Sequence, residues 1–355
     1  MSTRQFALFL LVFVLAPFYR TTGQVITCEP LFPTAQDSVR IVFNAAEGNR
    51  GLKGYTDPIW AHTGLITTQS TSGTDWRYVI ANWDVNTNKA LLTPLGNDLW
   101  EFKIAPDIRR FYNVPASVGI LKIAFVFRNA DGSRTGRNAD GSDLFQIVYD
   151  PGLNMILRAP TRSFLVVDPG AGIPVHAITS GSDSVLLDRD GTRLAKAVGN
   201  ELVYGLIAEN EGVHQVTVTA WAGQESVRDS FLYFVRTGDF HRELPEGVAD
   251  GINYPDDQSA ILVLFAPGKE HVFLIGDFND WTIDPGFLMY KTPGNDRHWI
   301  RVENLERGRE YVFQYLVDGE LRIADPYATK VSDPWNDHFI SSSVYPGLIP
   351  YPAGK

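Results

Sequence analysis

The sequence predicts an all-β protein made of three successive β-sandwich (Ig-like) domains behind a signal peptide. Short runs of β-branched and aromatic residues recur along the chain, separated by Gly, Pro, Asn and Asp. The 31 Gly and 21 Pro among 355 residues supply the turns. Beyond residue 23, no helical periodicity of apolar residues lasts for more than a few turns. Strands without intervening helices favour packed sandwiches.

Residues 1–23 read as a secretory signal peptide. Arg4 provides the positive end, residues 6–18 the apolar segment, and residues 19–23 the polar end. The apolar segment is too short to span a bilayer comfortably. We therefore expect a secreted protein (extracellular, cell-surface or periplasmic) without membrane insertion. Removing the peptide takes two arginines and changes the formal charge from −10 to −12, which argues against nucleic acid as a partner.

The first domain is predicted over residues 24–150. Its strand-like runs are residues 38–43, 121–127 and 144–149, and the first of these alternates like a strand with one buried face. Trp60 and His62 alternate with apolar neighbours, so both should project from one face of a strand. Trp76 and Trp83 lie in turn-rich flanks, whereas Trp100 is predicted to lie in the core.

The second domain, residues 151–237, reads as a plain Ig-like sandwich and a spacer. Its strand runs are residues 164–167, 172–178, 213–221 and 230–235. The third domain is predicted over residues 238–345. There an apolar run, residues 272–275, leads through turn-forming Asp277 and Asn279 to Trp281 at a loop tip. Asp318-Gly319 is a hairpin signal between two further strands.

Exposed tryptophans on loops, beside amides or carboxylates, are typical of sites that bind sugars. A sugar ring has an apolar face that stacks on an aromatic ring, and hydroxyls that take hydrogen bonds. The candidate carbohydrate-binding residues are Trp60, His62, Trp76, Trp83, Asn279 and Trp281. The alternative for each tryptophan is packing, in a core or between domains.

Four ordered motifs of the third domain resemble the family-48 carbohydrate-binding module. They are residues 264–269, 276–281, 317–319 and 325–327. That module precedes the catalytic barrel in many family-13 (α-amylase-like) glycoside hydrolases. The resemblance implies an α-glucan partner of the starch or glycogen type, and a covalently linked barrel beyond Lys355, with residues 346–355 as its run-in. Glycogen-binding members add a lysine and a second tryptophan where this chain has Gln314 and Leu321.

The first domain resembles the starch-binding modules of families 25 and 26. The similar segments are residues 59–64, 125–132 and 138–143. Those families usually carry a tryptophan just before the late Asn-rich turn, where this chain has Gly136 and Arg137. The resemblance implies a starch-binding role for Trp60, His62 and the neighbouring tryptophans.

The sequence predicts neither catalysis by this chain alone nor a cofactor. No Gly-x-Ser-x-Gly elbow and no family-13 catalytic motif occurs in context. The two Asn-Ala-Asp-Gly-Ser repeats at residues 129–133 and 138–142 are predicted to be turns and not calcium loops. Three hypotheses remain: the glucan-binding front of a glycoside hydrolase, a stand-alone surface glycan-binding protein, or a purely structural region.

Overall fold

The structure is a computed structural model that describes residues 24–236, 238–333, 336–349 and 351. The predicted signal peptide lies outside the described residues. These residues form 23 strands but a single short α-helix, so the predicted all-β sandwich class is confirmed. The chain divides into two compact units, Met1–Pro151 and Gly152–Lys355. Within the described part, no helix has the length and apolar character needed to cross a membrane.

The first unit contains eight strands and one helix. They are β1 (Ile26–Glu29), β2 (Val39–Asn44), β3 (Trp60–Thr67), β4 (Thr93–Gly96), β5 (Leu99–Ile104), α1 (Ile108–Tyr112), β6 (Ile120–Arg128), β7 (Thr135–Gly136) and β8 (Leu144–Ile147). One sheet has the order β1-β2-β5-β4. The other has β3-β6-β7, with β8 also pairing with β6.

Alternating side chains build the core of the first unit. In β2, Val39, Ile41 and Phe43 are buried while their neighbours are partly exposed, as the sequence pattern predicts. Phe125 and Phe127 of β6 oppose them with ring stacking between Phe43 and Phe127. Trp100 is 4% exposed and belongs to this core, as expected. Phe125 and Phe127 of β6 therefore face the core, together with the residues of β3 that pair with them. The alternate residues of both strands face outward.

The second unit begins with a sandwich of eight strands. They are β9 (Asn154–Ala159), β10 (Phe164–Val167), β11 (Gly172–Ser180), β12 (Ser184–Arg189), β13 (Thr192–Val198), β14 (Glu201–Ile207), β15 (Gly212–Ala222) and β16 (Glu225–Val235). The sheets have the orders β10-β16-β15-β12-β13 and β14-β11-β9. Trp221 is the penultimate residue of β15 and is 36% exposed.

A further sandwich follows within the same unit. Its strands are β17 (Gly251–Asp256), β18 (Ser259–Phe265), β19 (Val272–Gly276), β20 (Tyr290–Lys291), β21 (Arg297–Val302), β22 (Phe313–Val317) and β23 (Leu321–Ile323). The sheets have the orders β17-β18-β21-β20 and β19-β22-β23. The predicted Asp318-Gly319 hairpin joins β22 to β23, with both residues at positive φ.

An apolar cluster joins these two sandwiches of the second unit. It contains Phe164 and Phe234 from the first of them, and Phe273, Ile275, Trp281, Leu288 and Leu316 from the other. The ring of Phe164 meets that of Phe273 edge-on, with the centroids 5.4 Å apart. Since these side chains are at most 7% exposed, the junction is a hydrophobic core in its own right.

Candidate functional site

The strand register of the first unit places three aromatic side chains on the outward face of one sheet. In β3, Trp60 and His62 are partly exposed, while Ala61 between them is buried. Across the sheet, Ala124 of β6 pairs with Gly64 of β3 on one side and with Phe145 of β8 on the other. Directly paired residues share a face of the sheet. Gly64 follows His62 by two positions and Trp60 by four in β3, so Phe145 lies on the same face as Trp60 and His62. Ala124 of the central strand β6 and Gly64 of the edge strand β3 are small residues on this face.

A long loop after β3 carries Trp76 and Trp83 onto this face. Leu65 and Arg77 exchange two backbone hydrogen bonds of 2.7 and 2.8 Å, and the Ile80 amide donates to the Thr63 carbonyl. The loop therefore runs along the edge of β3. A Cβ atom at Gly64 would lie only 3.0 Å from the Arg77 carbonyl oxygen, so the close approach depends on glycine.

The loop tryptophans and the strand residues form one group of rings, here called the aromatic cluster: His62, Trp76, Trp83 and Phe145. The His62 and Trp76 rings stack at a centroid distance of 5.5 Å and an angle of 23°. Trp83 meets His62 edge-on at 5.1 Å, and Phe145 meets Trp76 edge-on at 6.5 Å. All four rings keep solvent exposure, and Trp83 is 36% exposed. The cluster is an angled aromatic surface open to a ligand.

Arg128 and the Asp131-Gly132 turn hold Trp83 in place. The Arg128 side chain is 2% exposed and lies 5.7 Å from the Trp83 ring centroid. Its guanidinium donates to Asn86 Oδ1 at 2.7 Å and to the Val85 carbonyl at 3.0 Å. It also donates to the carbonyls of residues 129 and 130, so it ties the Trp83 segment to the turn. A Cβ at Gly132 would lie 2.4 Å from Trp83 Nε1.

His62 is a neutral imidazole at the centre of the cluster. Burial lowers its pKa, and the nearby Arg128 guanidinium lowers it further. A neutral imidazole has one donor and one acceptor nitrogen, which suits hydroxyl groups. Among the described residues, no hydrogen bond engages the His62 ring. Its polar atoms are therefore free for a ligand.

The structure brings three of the predicted residues into ring contact within the first unit. His62, Trp76 and Trp83 are in ring contact. Trp60 shares their sheet face but has no aromatic contact among the described residues. Where the resembled starch-binding modules carry a tryptophan, Gly136 faces the core, and a Cβ there would lie 2.3 Å from the Phe43 ring. A larger side chain at that position would disrupt the core.

Trp281 and Asn279 occupy interior positions in the second unit. Trp281 is 7% exposed within the apolar junction, and its Nε1 donates to Asp277 Oδ1 at 3.0 Å. The ring centroid of Tyr351 lies 6.2 Å from that of Trp281. Asn279 closes its own turn: Nδ2 donates to the Leu274 carbonyl, and Oδ1 accepts from the Gly276 amide. Trp281 thus packs in the interior, the alternative that the sequence left open for it, whereas the Asn279 side chain bonds to the backbone of its own turn.

Sequence reasoning missed Phe145 and Arg128. Phe145 alternates with buried Leu144 in β8, and this alternation could have revealed an outward ring. The Lys122 ammonium lies 5.6 Å from its ring centroid and adds a cation to the same face. Arg128 has no comparable signal, because nothing in its neighbours shows that a buried guanidinium would cross to the Trp83 loop.

The repeated Asn-Ala-Asp-Gly-Ser segments form matching turns. Asp131 Oδ1 accepts from the Ser133 amide and hydroxyl, and Asp140 Oδ1 accepts from Ser142 in the same way. Within the described part of the chain, no group of three or more His, Cys, Asp or Glu side chains is arranged to hold a metal ion. The acidic side chains of these turns are used by the turns themselves.

Comparisons with known proteins give no family. No family model and no curated protein matches the sequence. Solved structures that align include fibronectin(III)-like modules of CbhA from Clostridium thermocellum, at 23% identity over 23% of this chain and 96% of that one, with a TM-score of 0.20. β-Glucuronidase 3 of Bacteroides uniformis aligns at 13% identity over 50% of this chain and 25% of that one, with a TM-score of 0.24. Titin domains A168–A170 align at 10% identity over 83% and 93%, with a TM-score of 0.22.

Proposed function

We propose that the first unit binds starch-like α-glucan through the aromatic cluster, and that the chain is the binding and positioning region of a secreted carbohydrate-active enzyme. The observation that carries this proposal is the assembly of His62, Trp76, Trp83 and Phe145 on one exposed sheet face. The motif resemblance in the third domain extends the proposal to a family-13-like glycoside hydrolase, with its catalytic barrel beyond Lys355. A stand-alone surface glycan-binding protein is the alternative. Reading the coding sequence past Lys355 distinguishes the two proposals, because only the first requires a catalytic barrel there.

The ring geometry favours a curved glucan. Flat chains such as cellulose are best matched by a row of coplanar rings, whereas α-linked glucans wind into open helices. Trp83 and Phe145 are inclined by 70° and 74° to the rings that they touch. The cluster is therefore angled and suits a chain that turns over the surface. Neutral sugar is also compatible with the acidic net charge of −10.

Polar groups around the rings can orient the sugar hydroxyls. His62 offers a donor and an acceptor, and Lys122 offers an ammonium beside Phe145. With few polar contacts and open rings, we expect a weak site, with a Kd around millimolar to tens of micromolar. When such a site is tethered to a catalytic domain on the same polymer, its effective concentration raises the dwell time.

For the third domain we propose a structural role. Its resemblance implies a sugar-binding Trp281, yet that ring is enclosed by the junction of the two sandwiches in the second unit. At 7% exposure, the Trp281 ring leaves little surface for a sugar to stack on. The packing of Trp281 supports a rigid second unit that positions whatever is attached to it.

The test is affinity electrophoresis of the full chain in gels that contain soluble starch, glycogen or cellulose. We expect retardation in the two α-glucan gels alone, and loss of that retardation in Trp83→Ala and Trp76→Ala. Trp221→Ala is the matched control, because Trp221 and Trp83 are both 36% exposed but Trp221 is far from the cluster in sequence and lies on β15. Unretarded wild-type protein in all gels, or equal loss in the control, would refute the proposal.

A further inference from the structure

The sheet β14-β11-β9 of the second unit ends in a strand with one unpaired side. Among the described residues, β14 pairs with β11 alone. The Asn200 carbonyl accepts from the Thr179 amide at one end of this ladder, and the Ala208 amide donates to the Ala171 carbonyl at the other. The even-numbered residues of β14 therefore turn their peptide groups towards β11. The N–H and C=O groups that point away from the sheet belong to residues 201, 203, 205 and 207.

The side chains of these four residues are also exposed. Val203 is 72% and Ile207 is 47% exposed, and a Cβ at Gly205 would lie in open space. Glu201 is the one charged residue of β14, and its Oε1 lies 2.8 Å from His176 Nε2 of the same sheet. The free side of β14 thus combines unpaired peptide groups with apolar side chains.

Proteins usually protect such edges by keeping them short, by burying them, or by placing Pro or charged side chains along them. The other edge strands that the structure describes in the second unit follow this rule. β13 carries Arg193 and Lys196, β9 carries Arg158, and β17 carries Pro255. β10, β20 and β23 have at most four residues, and β19 is buried throughout. β14 has seven residues, no Pro, and a single charge at its first position. It is a template for a further strand.

The side-chain pattern of β14 is complementary to itself. When two copies pair antiparallel about a two-fold axis at Tyr204, Val203 of each copy lies opposite Gly205 of the other. The valine then covers the place where the glycine has no side chain. The same register puts Glu201 opposite Ile207, so the two Glu201 residues lie about 20 Å apart along the strands. Like charges stay apart, which matters in a chain with a net charge of −10.

We infer that the chain forms a two-fold dimer through β14, which joins two three-stranded sheets into one sheet of six strands. Each copy donates the N–H groups of residues 201, 203, 205 and 207 to carbonyls of the other. The contact is small, so we expect a weak dimer with a Kd on the order of 100 μM. Pairing through β14 does not use the aromatic cluster, which belongs to the first unit.

Sedimentation equilibrium of the full chain, from about 10 μM to about 1 mM, measures the dimer. Val203→Lys should raise the Kd at least about tenfold, because each dimer loses two apolar pairs and gains two charges at the edge. Val198→Lys is the matched control. Val198 is 87% exposed and ends β13, an edge strand of the opposite sheet, so its replacement should leave the Kd unchanged.

Amide hydrogen exchange at single-residue resolution locates the interface. The Val203 and Gly205 amides should exchange fast in dilute protein and become protected as the concentration rises. The Leu202 and Leu206 amides, which face β11, should be protected throughout. A wild type that stays monomeric at the highest concentration, a dimer that Val203→Lys leaves intact, or unchanged exchange at residues 203 and 205 would each overturn the inference. Exchange needs only the wild type, so it decides even where Val203→Lys does not fold.

Discussion

Trp83 of the first unit and Trp281 of the second unit have similar surroundings in the sequence, since each lies in a turn-rich loop that follows a strand. In the structure Trp83 is 36% exposed, and its ring meets that of His62 edge-on. Trp281 is 7% exposed and lies among apolar side chains of two sandwiches. Both indole rings have a polar neighbour. For Trp83 this is the guanidinium of Arg128, and for Trp281 it is the carboxylate of Asp277.

The difference arises from what lies opposite each loop. The loop of Trp83 folds over the outward face of its own sheet, where no other described segment of the first unit covers it. The Trp281 loop lies at the end of β19, where a second sandwich of the same unit supplies Phe164 and Phe234. A tryptophan at a loop tip therefore keeps a ring surface that a ligand could reach only where no neighbouring sandwich of its own unit covers it.

Replacing Trp281 tests the packing side of this comparison and should have the largest effect. Trp281→Ala removes the largest ring from the junction and should destabilise the second unit by about 3–5 kcal/mol. In a unit of this size, calorimetry should show its transition lowered by roughly 10 °C. Starch retardation should persist, because the aromatic cluster lies in the first unit.

Trp221→Ala is the control for this change, since it removes a half-exposed tryptophan from the same unit. We expect its transition to move by no more than a few degrees. The packing interpretation of Trp281 fails if Trp281→Ala leaves the transition in place while it abolishes retardation.

Acid should lower the stability of the second unit through two histidines, His271 and His298, and the more buried of them, His298, gives the clearer test. His298 is 1% exposed, and burial lowers its pKa to about 4, with Lys291 as the next cause. Because the folded pKa is below the unfolded value of about 6.5, the neutral form is favoured by folding. The contribution of the neutral His298 to the free energy of unfolding is fully present above pH 6.5. It is lost as the pH falls from 6.5 towards 4. At pH 5 the loss from His298 alone should reach about 2 kcal/mol, and His271 of the same unit, whose pKa burial also lowers to about 4, adds to it.

Calorimetry of the wild type and His298→Phe at pH 7 and pH 5 measures this loss. Phenylalanine fills a similar volume but does not titrate, so the variant should lose less stability than the wild type in acid. An identical pH dependence in both proteins would show that His298 is not the titrating group. His62, which is half-exposed in the first unit, should contribute less to this window.

On the ligand side of the comparison, Trp83→Ala should reduce glucan affinity about tenfold, because exposed aromatic anchors typically contribute on the order of 1–2 kcal/mol to binding. Its effect on unfolding should stay below about 1 kcal/mol, since the ring is partly exposed. Binding can be followed by quenching of tryptophan emission with soluble starch. A large loss of stability, with binding intact, would place Trp83 with Trp281 as a packing residue.

The sequence could predict the all-β class and the alternation that puts Trp60 and His62 on one face, because both depend on local periodicity. It could not predict that Trp281 is covered, since the covering rings lie more than 40 positions away in the chain, at Phe164 and Phe234. Asn279 was ambiguous for a different reason. An Asn in a turn can bind its own backbone or a ligand, and the chain alone does not say which.

Phe145, one of the two residues that the sequence analysis missed, gives the smallest expected effect and the finest test of the aromatic cluster. Its ring meets Trp76 edge-on, and such pairs contribute about 0.5–1.5 kcal/mol. Phe145→Leu keeps the apolar volume but loses the ring, so we expect starch affinity to fall roughly threefold. Ile147→Ala is the matched control, because Ile147 is exposed on the same strand and, two residues on, on the same face. If both variants weaken binding equally, the sheet face acts by apolar area alone; if Phe145→Leu alone does, ring orientation sets the affinity.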